Sequence, residues 1–175
     1  MLIEPGELQK LKQPDLRILD TRPQPDYAKG QVEGFLFPAT YEFPPDATAT
    51  SVLKTMVDKF QDVSDSLDLA NSAKARGFSE YQIITIASLL EVEGHPRDFA
   101  KVARVVYNRL AQPMRLEFDS TVNYGLGKTD VIITQSDLDK NSPYNTYLND
   151  GLPPTPIDNP GEQAITAALN PAAGD

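Results

Sequence analysis

The chain has 175 residues, a length that suits one domain or one domain with a small appendage. Its formal net charge of −9 argues against nucleic acid and anionic membranes as partners, because both require a basic surface. It contains no cysteine, which excludes disulfides, thiol catalysis and thiolate metal sites, and no segment is long and apolar enough to predict a membrane span.

The first 31 residues differ in character from the rest and are predicted to be an N-terminal appendage. The segment EPGELQKLKQ predicts a short helix, and DLRILDTRP predicts a strand over residues 16–19 followed by a proline-rich turn. The next segment, VEGFLFPATYEFPPDATA, is interrupted by prolines and predicts a strand or an extended loop. Residues 32–175 are predicted to form the main domain.

Helical patterns occupy the middle of the chain. A first helix is predicted after Thr48, and a second over about residues 65–76 that ends at Gly77. The sequence SEYQ then matches a capping box with Ser79 as the cap, so a third helix is predicted over 80–93 with its end at Gly94.

Further helices are predicted in the second half of the chain. Pro96 suits the first turn of a helix over 96–111, on which Arg97, Lys101 and Arg104 are expected to form a solvated face. Asp119 is predicted to cap a helix that starts at Ser120. The last helix is predicted to be capped by Asn159 and to end near residue 170. The expected fold class is α+β, mostly helical with a few short strands.

Glu91 is the first candidate for chemistry. It follows a long apolar run and shares a helix face with Ile84 and Ala87, whereas Glu93 lies on nearly the opposite side. A carboxyl packed against apolar neighbours is disfavoured in its charged form and can act as a general acid. The alternative interpretation is structural: Glu91 pairs with an arginine or caps a neighbouring helix.

The loop SPYNTYLNDGLPPTPIDNPG is the second candidate. Tyrosine and asparagine side chains combine flat apolar faces with hydrogen-bonding groups, which suits the binding of sugar rings. Long loops without regular structure are often functional. The alternative is an ordered structural loop stiffened by its prolines. The polar residues concerned are Ser142, Tyr144, Asn145, Thr146 and Tyr147.

A second carboxylate for a glycosidase mechanism could come from Glu117 or Asp119, although Asp119 is equally explained as a helix cap. His95 is the only histidine and has no partner for metal binding, so it is interpreted as a turn residue.

Several motifs together resemble the YceG-like, or MltG, family of endolytic peptidoglycan transglycosylases. These motifs are EGFLFPATYEFPP, ASLLEVEG, VARVVYNRL, DSTVNYGLG and SPYNTYLNDGLPPTPIDNPG, followed by AALNP, and they occur in this order over about residues 32–173. The resemblance implies that Glu91, the first glutamate of ASLLEVE, is the catalytic acid and base. It implies cleavage of the β-1,4 bond between N-acetylmuramic acid and N-acetylglucosamine within a glycan strand, with 1,6-anhydro ends as products.

The resemblance also implies the surroundings of the reaction. The substrate is the peptidoglycan glycan strand, with cell-wall synthesis proteins as further candidate partners, and no metal or cofactor is implied. The parent protein is expected at the extracytoplasmic face of the bacterial cell membrane, with this chain itself soluble. Substrate-binding roles are implied for Glu117, Asp119, Thr121, Tyr124, Ser142, Tyr144, Asn145, Thr146, Tyr147, Leu152 and Pro153.

The sequence departs from the family pattern in places. Glu117 stands where a glutamine is usual, and Ser120 where a proline is common. The chain is expected to lack a C-terminal segment, an N-terminal anchor and a LysM-like subdomain of the family. Residues 1–31 resemble the opening of a rhodanese domain, which suggests a fragment or a fusion seam. The alternatives to a lytic enzyme are a peptidoglycan-binding scaffold module, an inactive fragment, or a hydrolase that produces reducing ends.

Overall fold

The computed structural model describes residues 32–128 and 132–174. These residues form helices joined by loops, and no β-strand occurs within the described ranges. The strand or loop predicted after residue 31 is an extended loop. The helix and strand predicted in the first 31 residues, and the suggested fusion seam, lie outside the described residues. None of the described helices is long and apolar enough to cross a membrane.

Two helices open the described part of the chain: α1, Ala49–Ser66, and α2, Leu69–Ala75. The side chain of Thr48 caps α1 by accepting a hydrogen bond from the backbone N–H of Ser51. Helix α1 extends to Ser66, so the second predicted helix begins later than expected. The break falls at Asp68, whose φ of 47° is left-handed and cannot continue a right-handed helix.

Helix α3, Glu80–Glu93, lies at the centre of the fold. Its predicted capping box is confirmed: the Ser79 side chain accepts from Gln82 N–H, and the Gln82 side chain accepts from Ser79 N–H. Residues 83–90 are all buried, because helices pack against α3 from several directions. A helix that is apolar all round is typical of such a central position.

Helix α3 ends where predicted, at Gly94. A Cβ on Gly94 would lie 2.7 Å from the Phe99 ring and 2.8 Å from the Leu90 carbonyl, so a larger residue does not fit. A short 3₁₀ helix, Pro96–Asp98, precedes α4, Phe99–Ala111, where one continuous helix was predicted.

The prediction that Arg97, Lys101 and Arg104 form a solvated face is only partly correct. Arg97 and Lys101 are exposed and pair with Asp98. Arg104 is partly buried, and its Nε donates a hydrogen bond of 2.6 Å to the Ala172 carbonyl. It therefore fastens the end of the described chain to α4.

Three helices follow: α5, Asp119–Leu126, α6, Gln135–Leu138, and α7, Glu162–Leu169. Helix α7 packs against α3 and α4, and α5 packs against α3 and α6.

Two predicted helix caps were wrong. Helix α5 begins at Asp119, and the residue at its cap position is Phe118, which offers no side-chain hydrogen bond. The cap position of α7 is Gly161, not Asn159. The Asn159 side chain instead accepts hydrogen bonds from the backbone N–H groups of Gly34 and Leu36. The Asn159 side chain therefore binds a segment far away in the sequence and does not cap α7.

Candidate active site

Glu91 lies in the last turn of α3, where burial of the helix ends. It is partly exposed, whereas the residue before it, Leu90, is fully buried. Its Oε2 accepts a hydrogen bond of 3.0 Å from the backbone N–H of Gly161. One turn earlier, the Ser88 hydroxyl accepts from the backbone N–H of Ile157. The end of the long loop therefore runs along the α3 face that carries Ser88 and Glu91.

The contact between Glu91 and Gly161 has the form that the structural interpretation predicted. Gly161 occupies the cap position of α7, so a carboxylate stands at the start of a neighbouring helix, where the helix dipole favours negative charge. The contact engages only one carboxylate oxygen. Oε1 accepts no hydrogen bond from any residue that the structure describes. The arrangement is thus compatible with a structural role and also with chemistry at Oε1.

Glu93 points elsewhere, as its position on the helix predicted. It is exposed, and its Oε1 lies 3.4 Å from the backbone N–H of Ser120 at the start of α5. The two glutamates contact different elements, so they do not act as a pair in one pocket.

The loop of residues 142–161 is hydrogen-bonded to residues on or beside two helices, α5 and α3. At its start, the Thr146 hydroxyl lies 2.8 Å from the Thr121 hydroxyl and accepts from the backbone N–H of Phe118. At its end, Ile157 binds Ser88 as described above. The loop is therefore fixed to α5 near its start and, near its end, to α3, the helix that carries Glu91.

Four of the predicted substrate-binding residues are buried, three of them in this loop and one on α5. Asn145 is fully buried; its amide donates to the carbonyls of Leu138 and Lys140, and its Oδ1 accepts from Tyr147 N–H. In this arrangement these side chains face protein and not solvent, and their contact with a sugar stays a prediction. Their hydrogen-bonding groups hold the loop in shape. The four residues are Thr121, Ser142, Asn145 and Thr146.

Tyr124 and Tyr144 form a partly exposed aromatic pair whose ring centroids are 4.9 Å apart. The Tyr144 hydroxyl lies 2.8 Å from that of Thr155, and the Tyr124 hydroxyl donates to Glu33. Burial, and then the hydrogen bond to Glu33, raise the pKa of Tyr124 above its usual value. This phenol therefore stays protonated at neutral pH.

Tyr147 lies near the carboxylates of Asp119 and Glu117, at the start of α5, and of Glu93, at the end of α3. Its hydroxyl donates a hydrogen bond of 2.6 Å to Asp119, and this bond is the main reason that the pKa of Tyr147 is raised to about 12. The charges of Glu117 and Glu93 act in the same direction. Glu117 is exposed, adopts a left-handed φ of 53° and lies 3.6 Å from an Arg109 nitrogen. Among the predicted binding residues, Glu117 and Asp119 are exposed, and Tyr147, like Tyr124 and Tyr144, is partly exposed.

Leu152 and Pro153 lie away from Glu91. They line a cleft of about 410 Å³ beside the first half of α3, together with Phe78, Tyr81, Gln82, Thr85, Leu110, Gly151 and Pro154. Thr85 precedes Glu91 by six residues, which is about 9 Å along a helix. The hydroxyl of Thr85 is bound to the Tyr81 carbonyl, and the Gln82 side chain belongs to the capping box. The cleft therefore offers few free polar groups from α3.

Sequence reasoning did not find Gly161 or Ser88, the two residues that fix the loop to α3. Gly161 contributes a backbone N–H, which has no signature in the residue type. Ser88 lies inside an apolar run, and a single serine there gives no indication of a partner 69 residues away.

Comparison with known proteins agrees with the motifs. A family model described as the YceG-like family matches residues 6–175, which includes most of the segment predicted to be an appendage. A Bacillus subtilis protein named endolytic murein transglycosylase is 40% identical over 149 residues, covering 84% of this chain and 41% of that protein. A Streptococcus pneumoniae R6 protein of the same name is 35% identical over 166 residues, covering 90% of this chain and 30% of that protein.

A crystal structure of a YceG-like protein from Listeria monocytogenes is also similar, with a TM-score of 0.75 and 38% identity. The match covers 82% of this chain and 47% of that one. The chain thus spans less than half the length of these relatives.

Proposed function

This chain belongs to the YceG-like family, and from that premise we propose that it is the part of an endolytic murein transglycosylase that carries the acid, Glu91. The substrate is the glycan strand of peptidoglycan. The observation that carries the proposal is the position of Glu91: it lies at the exposed end of a buried helix, with Oε2 held by Gly161 N–H and Oε1 without a partner among the described residues.

The reaction needs one group that both donates and accepts a proton. Glu91 protonates the bridging oxygen as the bond from muramic-acid C1 to that oxygen breaks, and N-acetylglucosamine leaves with a new hydroxyl. The C6 hydroxyl of the muramic acid then bonds to C1, and its proton passes to the Glu91 carboxylate. The nucleophile belongs to the substrate, so no second carboxylate is required. A mechanism with a single carboxylate agrees with the orientation of Glu93 towards Ser120 and not towards Glu91.

The accessible side chains of the loop and of α5 are the proposed substrate contacts. Tyr147 and Tyr144 present phenol groups, and Asp119 and Glu117 present carboxylates. The buried residues of the loop support these contacts from behind. We place the parent protein at the extracytoplasmic face of the cell membrane, where glycan strands are found, with cell-wall synthesis proteins as its partners.

Substitution of Glu91 tests the proposal. The chain is incubated with purified glycan strands, and the products are analysed by mass spectrometry. Glu91→Gln keeps the shape of the side chain but cannot donate the proton, so turnover should fall on the order of 10²- to 10⁴-fold. Glu93→Gln is the matched control on the other side of the helix and should retain most of the activity.

The products separate the remaining candidates. Anhydro-muramyl ends support the proposal, and reducing ends that contain oxygen from water would replace it with hydrolysis. Binding of glycan strands without cleavage would favour a scaffold module, for which the contact between Glu91 and the start of α7 is purely structural. An active Glu91→Gln variant would show that the acid lies elsewhere.

A further inference from the structure

We propose that the backbone N–H of Gly161 positions Glu91 for proton transfer and leaves Oε1 as the oxygen that carries the proton. This inference rests on the proposed function. It adds a positioning residue that is defined by its backbone and not by its side chain.

The donor is held firmly relative to the acid. Gly161 begins α7, and its carbonyl accepts a hydrogen bond of 3.1 Å from Ile165 N–H. Ile165 is fully buried, and α7 packs against α3 and α4. On the other side of Gly161, the loop is fastened to α3 through Ile157 and Ser88. The distance from Gly161 N to the Glu91 carboxyl is therefore set by packing on both sides of the contact.

The hydrogen bond makes the two carboxyl oxygens unequal. Oε2 receives an N–H and acts there as an acceptor, so the hydroxyl of the protonated acid is best placed on Oε1. Oε1 gives its proton to the bridging oxygen and later receives the proton of the C6 hydroxyl. The same oxygen serves both steps, and the side chain does not need to rotate between them.

The backbone at Gly161 allows a sharp pair of variants. Its φ of −79° lies within the range of proline, so Gly161→Pro removes the N–H at a compatible φ, and a ring carbon takes the place of the hydrogen. A Cβ at this position would lie 3.8 Å from Glu91 Oε2 and 3.8 Å from Pro38, which are ordinary contacts. Gly161→Ala is therefore the conservative variant that keeps the donor.

Steady-state cleavage of glycan strands compares the pair. Misplacement of a reacting group by about 1 Å can cost on the order of 10²-fold, so Gly161→Pro should lose about that much in kcat while KM changes little. Gly161→Ala should recover most of the turnover that Gly161→Pro loses. Equal kcat values for the two variants, with circular dichroism showing both folded, would overturn the inference.

Nuclear magnetic resonance tests the contact without turnover. In the unsubstituted chain, the hydrogen bond to Oε2 should protect the Gly161 amide from hydrogen exchange, and this protection should fall in Glu91→Ala, which offers no acceptor. A Gly161 amide that exchanges equally fast in both chains would overturn the inference even if Gly161→Pro fails to fold. An unsubstituted chain that cleaves no better than Glu91→Gln would instead overturn the proposed function, which separates the two failures.

Discussion

Helix α3 and the 142–161 loop lie side by side and are held in place by different interactions. Helix α3 buries residues 83–90, and most of these side chains are apolar. The loop has no helix or strand of its own, and buried amide and hydroxyl groups fix its shape. Asn145 supplies three hydrogen bonds, and Asn149 donates two more, to the carbonyls of Ser142 and Asn145.

The difference shows why polar composition is an ambiguous sign of a binding surface. A buried polar group must be hydrogen-bonded, so a loop without regular structure needs polar side chains to satisfy its own backbone. Asn145 and Thr146 meet that need and do not reach solvent. The accessible groups beside them, such as the Tyr147 phenol, are the ones left to meet a ligand.

The largest effect is expected from truncation in α3. Leu89→Ala removes a fully buried side chain and should lower the free energy of unfolding by about 2–5 kcal/mol. Val92→Ala, on the same helix but 45% exposed, should change it by less than about 0.5 kcal/mol. Urea titration followed by circular dichroism measures both. Similar losses for the two variants would contradict the view that apolar burial holds α3.

A somewhat smaller effect is expected in the loop. Asn145→Ala removes three hydrogen bonds of a fully buried side chain, and the loss should be about 1–3 kcal/mol in total. Asn141→Ala, an exposed asparagine four residues earlier, is the control and should be nearly neutral. The measurement is the same urea titration. If Asn145→Ala retains full stability and only weakens glycan binding, the side chain contacts substrate and the assignment to the loop interior is wrong.

The cap of α3 should contribute less than either. Ser79→Ala removes the hydrogen bond to Gln82 N–H and should destabilise the chain by about 1 kcal/mol. Ser79→Asp, which can still cap, should restore most of the loss. Thermal unfolding of the three chains tests this. A Ser79→Asp variant no better than Ser79→Ala would show that the capping box is not what starts the helix.

The smallest effect depends on pH and concerns α6. The hydrogen bond from Lys128, 2.5 Å long, is the main reason that the pKa of Asp137 is lowered to about 2. A depressed carboxyl pKa stabilises the fold above about pH 4, the usual value for the unfolded chain, and this stabilisation disappears as the pH falls towards 2.

The variant Lys128→Met should therefore be less stable than the unsubstituted chain at pH 7, and the two should converge at low pH. Lys54→Met, which breaks the exposed pair with Asp58, is the control and should matter little at either pH. Thermal unfolding across the pH range gives the comparison. A difference between Lys128→Met and the unsubstituted chain that persists at pH 2 would rule out this pair as the cause.

The sequence predicts those parts of the molecule whose signals are local. The start of α3 follows from Ser79 and Gln82, and its end follows from Gly94. The caps assigned to Asp119 and Asn159 were wrong because the same residue types also serve distant partners, here Tyr147 for Asp119 and Gly34 for Asn159.

The candidate site divides in the same way. The residues that mark Glu91 lie within one helix and match a family motif, so a single sequence indicates them. The partner of Glu91 is a backbone N–H 70 residues later, which only the packing of α7 on α3 brings close. For the same reason, the sequence alone does not separate the accessible polar side chains of the loop from the buried ones.

The bond between Gly34 and Asn159 bears on how the chain folds. It joins residues 125 positions apart. Gly34 has a φ of 91°, and a Cβ added to it would lie 2.6 Å from Pro156. Contacts this distant in sequence carry the closure entropy of the whole intervening chain and are slow to form. We expect the helices to assemble first and the segment around Gly34 to dock last. The start of the described chain would then be fixed only in the final step of folding, after α3 and α7 have brought Gly161 to Glu91.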